Sequence, residues 1–185
     1  MISIIAGIPG AGKTTVMNEV LKKKKIKVIN YGDEIFKIAE KKGLVNNRDE
    51  LRKLPFELQR NMQIEAAKNI AKYGNVIVDT HCTIKTPFGY LPGLPYDVLN
   101  ILKPKRIILI EADAREIVER RKKDEKIRQR DEESIESMEE HQLMNRIAGM
   151  SYAILTGATL KIIKNRQGKI KEAAEEIIKA LDNKY

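Results

Sequence analysis

Short apolar segments alternate along the chain with longer amphipathic stretches. The apolar segments have the length of strands buried in a parallel sheet. They cover residues 2–6, 27–30, 76–79, 106–111 and 159–163. The stretches between them carry apolar residues three and four positions apart, which predicts helices. These helices cover residues 13–24, 33–42, 55–73, 134–155 and 170–181, with another beginning after Asp113. The pattern predicts an α/β fold, a five-stranded parallel sheet with helices on both faces.

Three segments depart from this alternation. Residues 86–95 hold three prolines and two glycines, which predicts a loop. Residues 48–53 are long enough for a helical turn only. Residues 122–133 are charged at ten of twelve positions and lie between two predicted helices, so we expect a short lid there. A length of 185 residues suits a single domain over 1–185.

A glycine-rich motif, G-I-P-G-A-G-K-T, follows the first strand and opens the first helix. This is the context in which a P-loop binds phosphate through its backbone N–H groups and the helix N-terminus. Lys13 is expected to reach the β- and γ-phosphates, and Thr14 to hold Mg²⁺. The predicted ATP-binding residues are Gly7, Ile8, Pro9, Gly10, Ala11, Gly12, Lys13, Thr14 and Thr15.

The motif alone does not identify the reaction, since GTPases, motor ATPases and small-molecule kinases share it. The guanine signature N-K-x-D does not occur in the sequence. The third predicted strand ends in Asp79, and Thr80 stands where many ATPases carry a second acid. We expect Asp79 to orient Mg²⁺ through water, and a strand-end cap is the alternative.

Arginines near the charged segment are candidates for catalysis. Phosphoryl transfer spreads negative charge over the equatorial oxygens, and arginines can stabilise that charge. Arg128 and Arg130 within the segment, and Arg120 before it, are predicted to act in this way. The alternative is a solvated helix of ion pairs, since the segment has five basic and five acidic residues.

A second group of residues follows the second strand, and we expect it to bind the molecule that accepts the phosphoryl group. The carboxyl ends of strands in an open α/β sheet face the ligand, so Asp33 in N-Y-G-D is a candidate. Arg48 and Arg52 are four apart, and on one helix face they could bind a monophosphate bidentately. Pairing with neighbouring acids is the alternative. Gln63 could read an adenine edge, and Lys85 could contact phosphate.

Composition narrows the choice of partner. Lys and Arg outnumber Asp and Glu by 35 to 26, and a net charge of +9 attracts nucleic acid or phosphorylated metabolites. Aromatic residues are only 5 % and Trp is absent, so we expect no stable nucleic-acid complex. The presence of a single cysteine, Cys82, fits a reducing cytoplasm. We expect Cys82 to pack in the core, and we expect His81 to have a structural role. No apolar run is long enough to span a membrane.

Together these motifs resemble the archaeal adenylate kinases. The matching stretches are I-P-G-A-G-K-T-T, N-Y-G-D, R-D-E-L-R-K-L, Q-I-E-A-A-K, D-T-H, T-P-F-G-Y-L-P-G-L-P and I-E-A-D. The resemblance implies a cytoplasmic nucleoside monophosphate kinase that uses Mg²⁺ and transfers phosphate reversibly from ATP to AMP, giving two ADP. It also implies an acceptor-binding segment at about 31–73 and a homo-oligomer, with relatives forming trimers.

The chain departs from the wider nucleoside monophosphate kinases at two acceptor arginines. Phe36 stands in place of one, and D-T-H-C-T replaces the motif that holds the other. Arg48, Arg52 and Lys85 are the available replacements, and the short lid has no cysteines for zinc. A kinase for another nucleoside monophosphate or for dephospho-coenzyme A stays open as an alternative. A nucleotide-gated RNA-associated ATPase is a further one.

Overall fold

The computed structural model describes residues 1–124 and 134–182 as seven strands, seven α-helices and one 3-10 helix. The strands are β1 Ile2–Ala6, β2 Lys27–Asn30, β3 Val76–Thr80, β4 Thr83–Thr86, β5 Gly89–Pro92, β6 Arg106–Glu111 and β7 Thr159–Lys164. The helices are α1 Lys13–Lys23, α2 Tyr31–Lys41, the 3-10 helix Arg48–Lys53, α3 Phe56–Ala71, α4 Tyr96–Leu102, α5 Ala114–Asp124, α6 Ile135–Thr156 and α7 Ile170–Asp182.

Five parallel strands form the main sheet, in the order β2-β3-β1-β6-β7. These are the five strands that the sequence predicts. Successive residues of β1 point to opposite faces, so Ile4 packs among α2, α3 and α4 while Ile5 packs among α1 and α7. Both are fully buried, as expected for a central strand covered by helices on both sides. No helix among the described residues is long and apolar enough to cross a membrane.

The predicted loop over residues 86–95 is wrong. Strands β4 and β5 pair antiparallel as a hairpin, and α4 begins at Tyr96. The prolines stand where no backbone N–H is needed: Pro87 in the turn, Pro92 at the end of β5, and Pro95 before α4. The turn is closed by the Thr86 hydroxyl, which donates to the Gly89 carbonyl at 2.8 Å.

Several boundaries also differ from the prediction. Helix α2 begins at Tyr31 because the Asn30 side chain caps it, accepting from the Asp33 N–H at 3.1 Å. Helix α5 begins after Asp113, as predicted, with Asp113 accepting from the Arg115 N–H at 2.8 Å. The expected lid over 122–133 starts inside α5, and its residues 125–133 lie outside the described residues.

Candidate active site

The phosphate loop, residues 7–15, connects the end of β1 to the first turn of α1. Gly10 and Gly12 adopt left-handed backbone conformations, with φ of +92° and +83°, which favour glycine. A Cβ on Gly7 would lie 2.5 Å from the Ile110 carbonyl oxygen, so only glycine lets the loop lie this close to β6. The loop therefore has the tight curvature and the helix N-terminus that an anion site needs.

Lys13 and Asp79 lie together across the carboxyl ends of β1 and β3. The Lys13 ammonium contacts the Asp79 carboxylate and also donates to the Thr80 carbonyl at 3.1 Å. The second Asp79 oxygen accepts from the Asn30 amide at 3.0 Å. The side chains of Lys13 and Asp79 are only 11 % and 20 % exposed. Their partial burial strengthens this attraction relative to a surface pair.

The residue types beside the loop fit Mg²⁺. Thr14 is exposed on the first turn of α1, and the Asp79 carboxylate contacts Lys13, the residue before Thr14. Mg²⁺ prefers hard oxygen ligands and usually takes one or two from protein, with substrate phosphates and water completing the shell. Among the described residues there is no cluster of three His, Cys, Asp or Glu side chains with metal-binding geometry.

Three side chains from outside hold the phosphate loop by its carbonyl groups. His81 Nδ1 lies 3.1 Å from the Gly7 oxygen, and the Asn165 amide donates to the Ala11 oxygen at 2.9 Å. Arg121 donates to the Pro9 oxygen from Nε at 3.0 Å and from Nη2 at 2.7 Å. These partners stand 74 to 154 residues from the loop in sequence, so no local motif could reveal them.

The His81 ring is the hydrogen-bond donor in this arrangement. A carbonyl oxygen only accepts, so the Nδ1–H tautomer is the one that fits the contact with Gly7. Desolvation by burial, and then the charge of Lys13, lower the pKa of His81 below its ordinary value. The contact supports the expectation that His81 is structural.

A cavity of about 170 Å³ opens beside the phosphate loop. Its lining residues are Gly12, Thr15, Arg120, Asn165, Arg166, Gln167, Gly168 and Ile170. Arg120 Nη2 donates to Glu116 at 2.6 Å and to the Asn165 carbonyl at 3.5 Å. Arg120 therefore lies on the donor side of the site. Arg128 and Arg130 are outside the described residues.

The acceptor candidates Asp33 and Arg48 lie together. Arg48 Nη1 donates to the Asp33 carboxylate at 2.6 Å, and Nη2 donates to the Asn30 side-chain oxygen at 3.4 Å. A Cβ on Gly32 would overlap the Arg48 guanidinium, so the glycine of N-Y-G-D makes room for it. Asp33 and Asn30 are thus the partners of Arg48, in place of the neighbouring acids considered from sequence.

The expectation that Arg48 and Arg52 share a helix face is wrong. They lie in a 3-10 helix, where residues three apart are aligned and residues four apart point about 120° away from each other. Gln63 is half-buried on α3, and its backbone carbonyl accepts from the Tyr31 hydroxyl at 2.8 Å. The Lys85 ammonium contacts the Ser137 hydroxyl on the first turn of α6. The substrate roles of these residues remain predictions.

Cys82 packs, as the sequence predicts. It is fully buried in the hydrophobic core just before β4, and burial raises the pKa of its thiol to about 12. The thiolate that would react is therefore scarce at neutral pH.

Comparison with known proteins identifies the family. A model of the family described as an AAA domain matches residues 6–139. Adenylate kinase from Methanocaldococcus jannaschii is 53 % identical, and the match covers 97 % of each chain. Adenylate kinase from Methanopyrus kandleri is 51 % identical, again over 97 % of each chain. The chain belongs to the archaeal adenylate kinases. It is therefore a P-loop phosphotransferase.

A solved structure of shikimate kinase from Acinetobacter baumannii has the same fold. It superimposes with a TM-score of 0.64 at 15 % identity, covering 97 % of this chain and 92 % of the other. The shared fold confirms the P-loop kinase architecture predicted from the sequence.

Proposed function

We propose that the chain transfers the terminal phosphoryl group of Mg·ATP reversibly to AMP, giving two ADP. One observation carries this proposal: a continuous chain of polar contacts along the carboxyl edge of the sheet. It runs from Lys13 to Asp79, then to Asn30, Arg48 and Asp33. The contact chain contains two cations, Lys13 and Arg48, separated by Asp79 and Asn30, which suits a donor phosphate at the first and an acceptor phosphate at the second.

On the donor side, the phosphate loop binds the ATP phosphates and Lys13 contacts the transferring oxygens. Thr14 and Asp79 would hold Mg²⁺, which when bound neutralises charge on the β- and γ-phosphates. The planar guanidinium of Arg120 borders the cavity beside the loop, where it can stack on a nucleotide base or contact phosphate. Arg128 and Arg130 are proposed to stabilise the charge of the transition state.

On the acceptor side, Arg48 binds the AMP phosphate, and Asp33 holds its guanidinium in place until the phosphate binds. Arg52, Gln63 and Lys85 are further candidates for this substrate. Because positions four apart in a 3-10 helix do not share a face, we expect Arg48 to contribute more than Arg52 to binding the phosphate.

The decisive experiment offers a panel of acceptors with Mg·ATP and scores the product. AMP is expected to give ADP from both nucleotides, and other nucleoside monophosphates and dephospho-coenzyme A to react far more slowly. Preferred turnover of one of these would place the chain with another acceptor. ATP hydrolysis that rises with RNA, with binding that weakens steeply as salt increases, would favour the RNA-associated ATPase.

We also infer that the chain works in the cytoplasm as a homo-oligomer, with the trimer of its relatives as the expected form. The homo-oligomer is supported by an apolar stripe on α6, whose members are each more than half exposed: Leu143, Ile147, Met150 and Ile154. Their spacing of three and four places them on one helix face. Light scattering should show that Ile147→Glu with Ile154→Glu lowers the mass to one chain. An unchanged mass would place the interface elsewhere.

A further inference from the structure

Alternate carbonyl groups of the phosphate loop are each held by a side chain from a different part of the fold. The carbonyls belong to Gly7, Pro9 and Ala11, and their donors are His81, Arg121 and Asn165, listed in the same order. In a planar trans peptide the C=O of one residue and the N–H of the next point in opposite directions. A donor that fixes a carbonyl on the outside of the loop therefore fixes the following N–H on the opposite side.

We propose that His81, Arg121 and Asn165 are positioning residues that aim the loop N–H groups at the ATP phosphates. Arg121 acts through the Pro9–Gly10 peptide, and Asn165 acts through the Ala11–Gly12 peptide. None of the three needs to touch ATP itself. The inference goes beyond the proposed function, which assigns no role to these side chains, and it rests on that function only for ATP as the natural ligand.

The burial of Arg121 and Asn165 supports their role in positioning the loop. Arg121 is 8 % exposed and Asn165 is 2 % exposed. A buried donor that loses its acceptor carries a desolvation cost, so each side chain resists any movement of the loop carbonyl that it holds. The Pro9 carbonyl receives two guanidinium N–H groups, which fixes its direction as well as its distance.

Close packing between the donors and the loop supports the same role. A Cβ on Gly12 would overlap the Asn165 amide, and one on Gly10 would lie 2.9 Å from Ile117 Cγ2 and 3.2 Å from Arg121 Nε. Glycine at these positions thus serves a second purpose besides its left-handed φ. It lets outside donors approach the loop backbone.

Calorimetry of ATP and AMP binding to Arg121→Met and Asn165→Leu tests the proposal. Each variant should bind ATP about tenfold more weakly, which corresponds to the loss of one hydrogen bond between a loop N–H and a phosphate oxygen. The AMP Kd should stay within about twofold of wild type. Arg121→Lys keeps one donor and should recover part of the affinity. Arg115→Met is the matched control, because Arg115 is exposed on the same helix, and it should bind ATP like wild type.

Thermal unfolding, measured on the same samples, separates positioning from general stability. Asn165→Asp, nearly isosteric but with an acceptor facing the Ala11 carbonyl, should fold and still lose ATP affinity. If Arg121→Met or Asn165→Leu does not fold, the conservative variants Arg121→Lys and Asn165→Asp still test the proposal. ATP affinity equal to wild type in these folded variants would overturn the proposal, as would equal loss of ATP and AMP affinity. A wild type that binds ATP without phosphorylating AMP would contradict only the proposed function.

Discussion

At the residue scale, the site keeps its cations in place with carboxylates that a phosphate can replace. Lys13 is held by Asp79 and Arg48 by Asp33. The Arg48–Asp33 pair is more than half exposed on both sides, so it contributes only about 0–1 kcal/mol. A dianionic phosphate can therefore take over the guanidinium at little cost.

Replacing Lys13 tests the donor side. Lys13→Ala should leave a folded chain with kcat lowered by about 10²–10³, because one electrostatic contact to the transferring oxygens is lost. Initial rates with saturating ATP and AMP measure the change. Lys22→Ala is the control, since Lys22 lies on the same helix but pairs with Glu19 on the surface. Near-normal turnover in a folded Lys13→Ala variant would remove Lys13 from the catalytic set.

Replacing Arg48 tests the acceptor side. Arg48→Ala should raise KM for AMP by about tenfold or more and leave KM for ATP nearly unchanged, because a charge-assisted bond to phosphate is lost. Arg52→Ala should have a smaller effect, since the 3-10 helix turns it away from Arg48. Lys42→Ala is the control. Lys42 follows the C-terminal end of α2 and forms a surface pair with Glu65, so its loss should change neither KM. A parallel rise in both KM values would assign Arg48 to another role.

At the scale of elements, periodicity and turn chemistry were sufficient to predict the five strands of the main sheet and most helices. The β4–β5 hairpin was missed because its prolines and glycines indicate a loop, although they occupy strand ends and a turn. The angle between Arg48 and Arg52 was missed because sequence does not separate a 3-10 turn from an α-helical one. The donors to the phosphate loop were missed because the segment after β3, helix α5 and the segment after β7 meet only in the folded chain.

One ion cluster ties three of these elements together. The Glu111 carboxylate ends β6 and accepts from Arg146 of α6 at 2.7 and 2.6 Å and from Lys164 of β7. Its side chain is 3 % exposed. Burial alone would raise the pKa of Glu111, but the hydrogen bonds and charges of Arg146 and Lys164 leave that pKa below its ordinary value of 4.5.

A lowered pKa in the folded state means that Glu111 contributes stability above pH 4.5 and loses it as the pH falls through the lowered pKa. Glu111→Gln should therefore reduce the free energy of unfolding at pH 7 by about 1–3 kcal/mol. The difference from wild type should shrink in acid. Urea unfolding at pH 7 and pH 3 measures both. Glu176→Gln, which alters an exposed pair with Lys161, should change little, and an equal Glu111 deficit at both pH values would contradict the linkage.

At the scale of the whole molecule, the sheet brings two anion sites to one edge. The phosphate loop follows β1, while Arg48 reaches the end of β2, and β3 with Asp79 lies between them in the strand order. Adjacent parallel strands are about 4.8 Å apart, so the two sites are separated by only a few phosphate lengths. The contacts from Lys13 to Arg48 cross this gap without interruption.

Two adjacent sites predict that one ligand can occupy both. Two adenosines bridged by a polyphosphate should bind at least about 10²-fold more tightly than ATP, because the second contact becomes intramolecular once the first has formed. Bridges of three to six phosphates, compared by calorimetry, should show an optimum where the chain spans the gap. Arg48→Ala should remove most of the gain and leave ATP binding intact, since ATP alone does not need the acceptor arginine. Affinity equal to that of ATP at every bridge length would mean that one ligand cannot occupy both sites, and it would contradict the assignment of Arg48 to an acceptor site next to the phosphate loop.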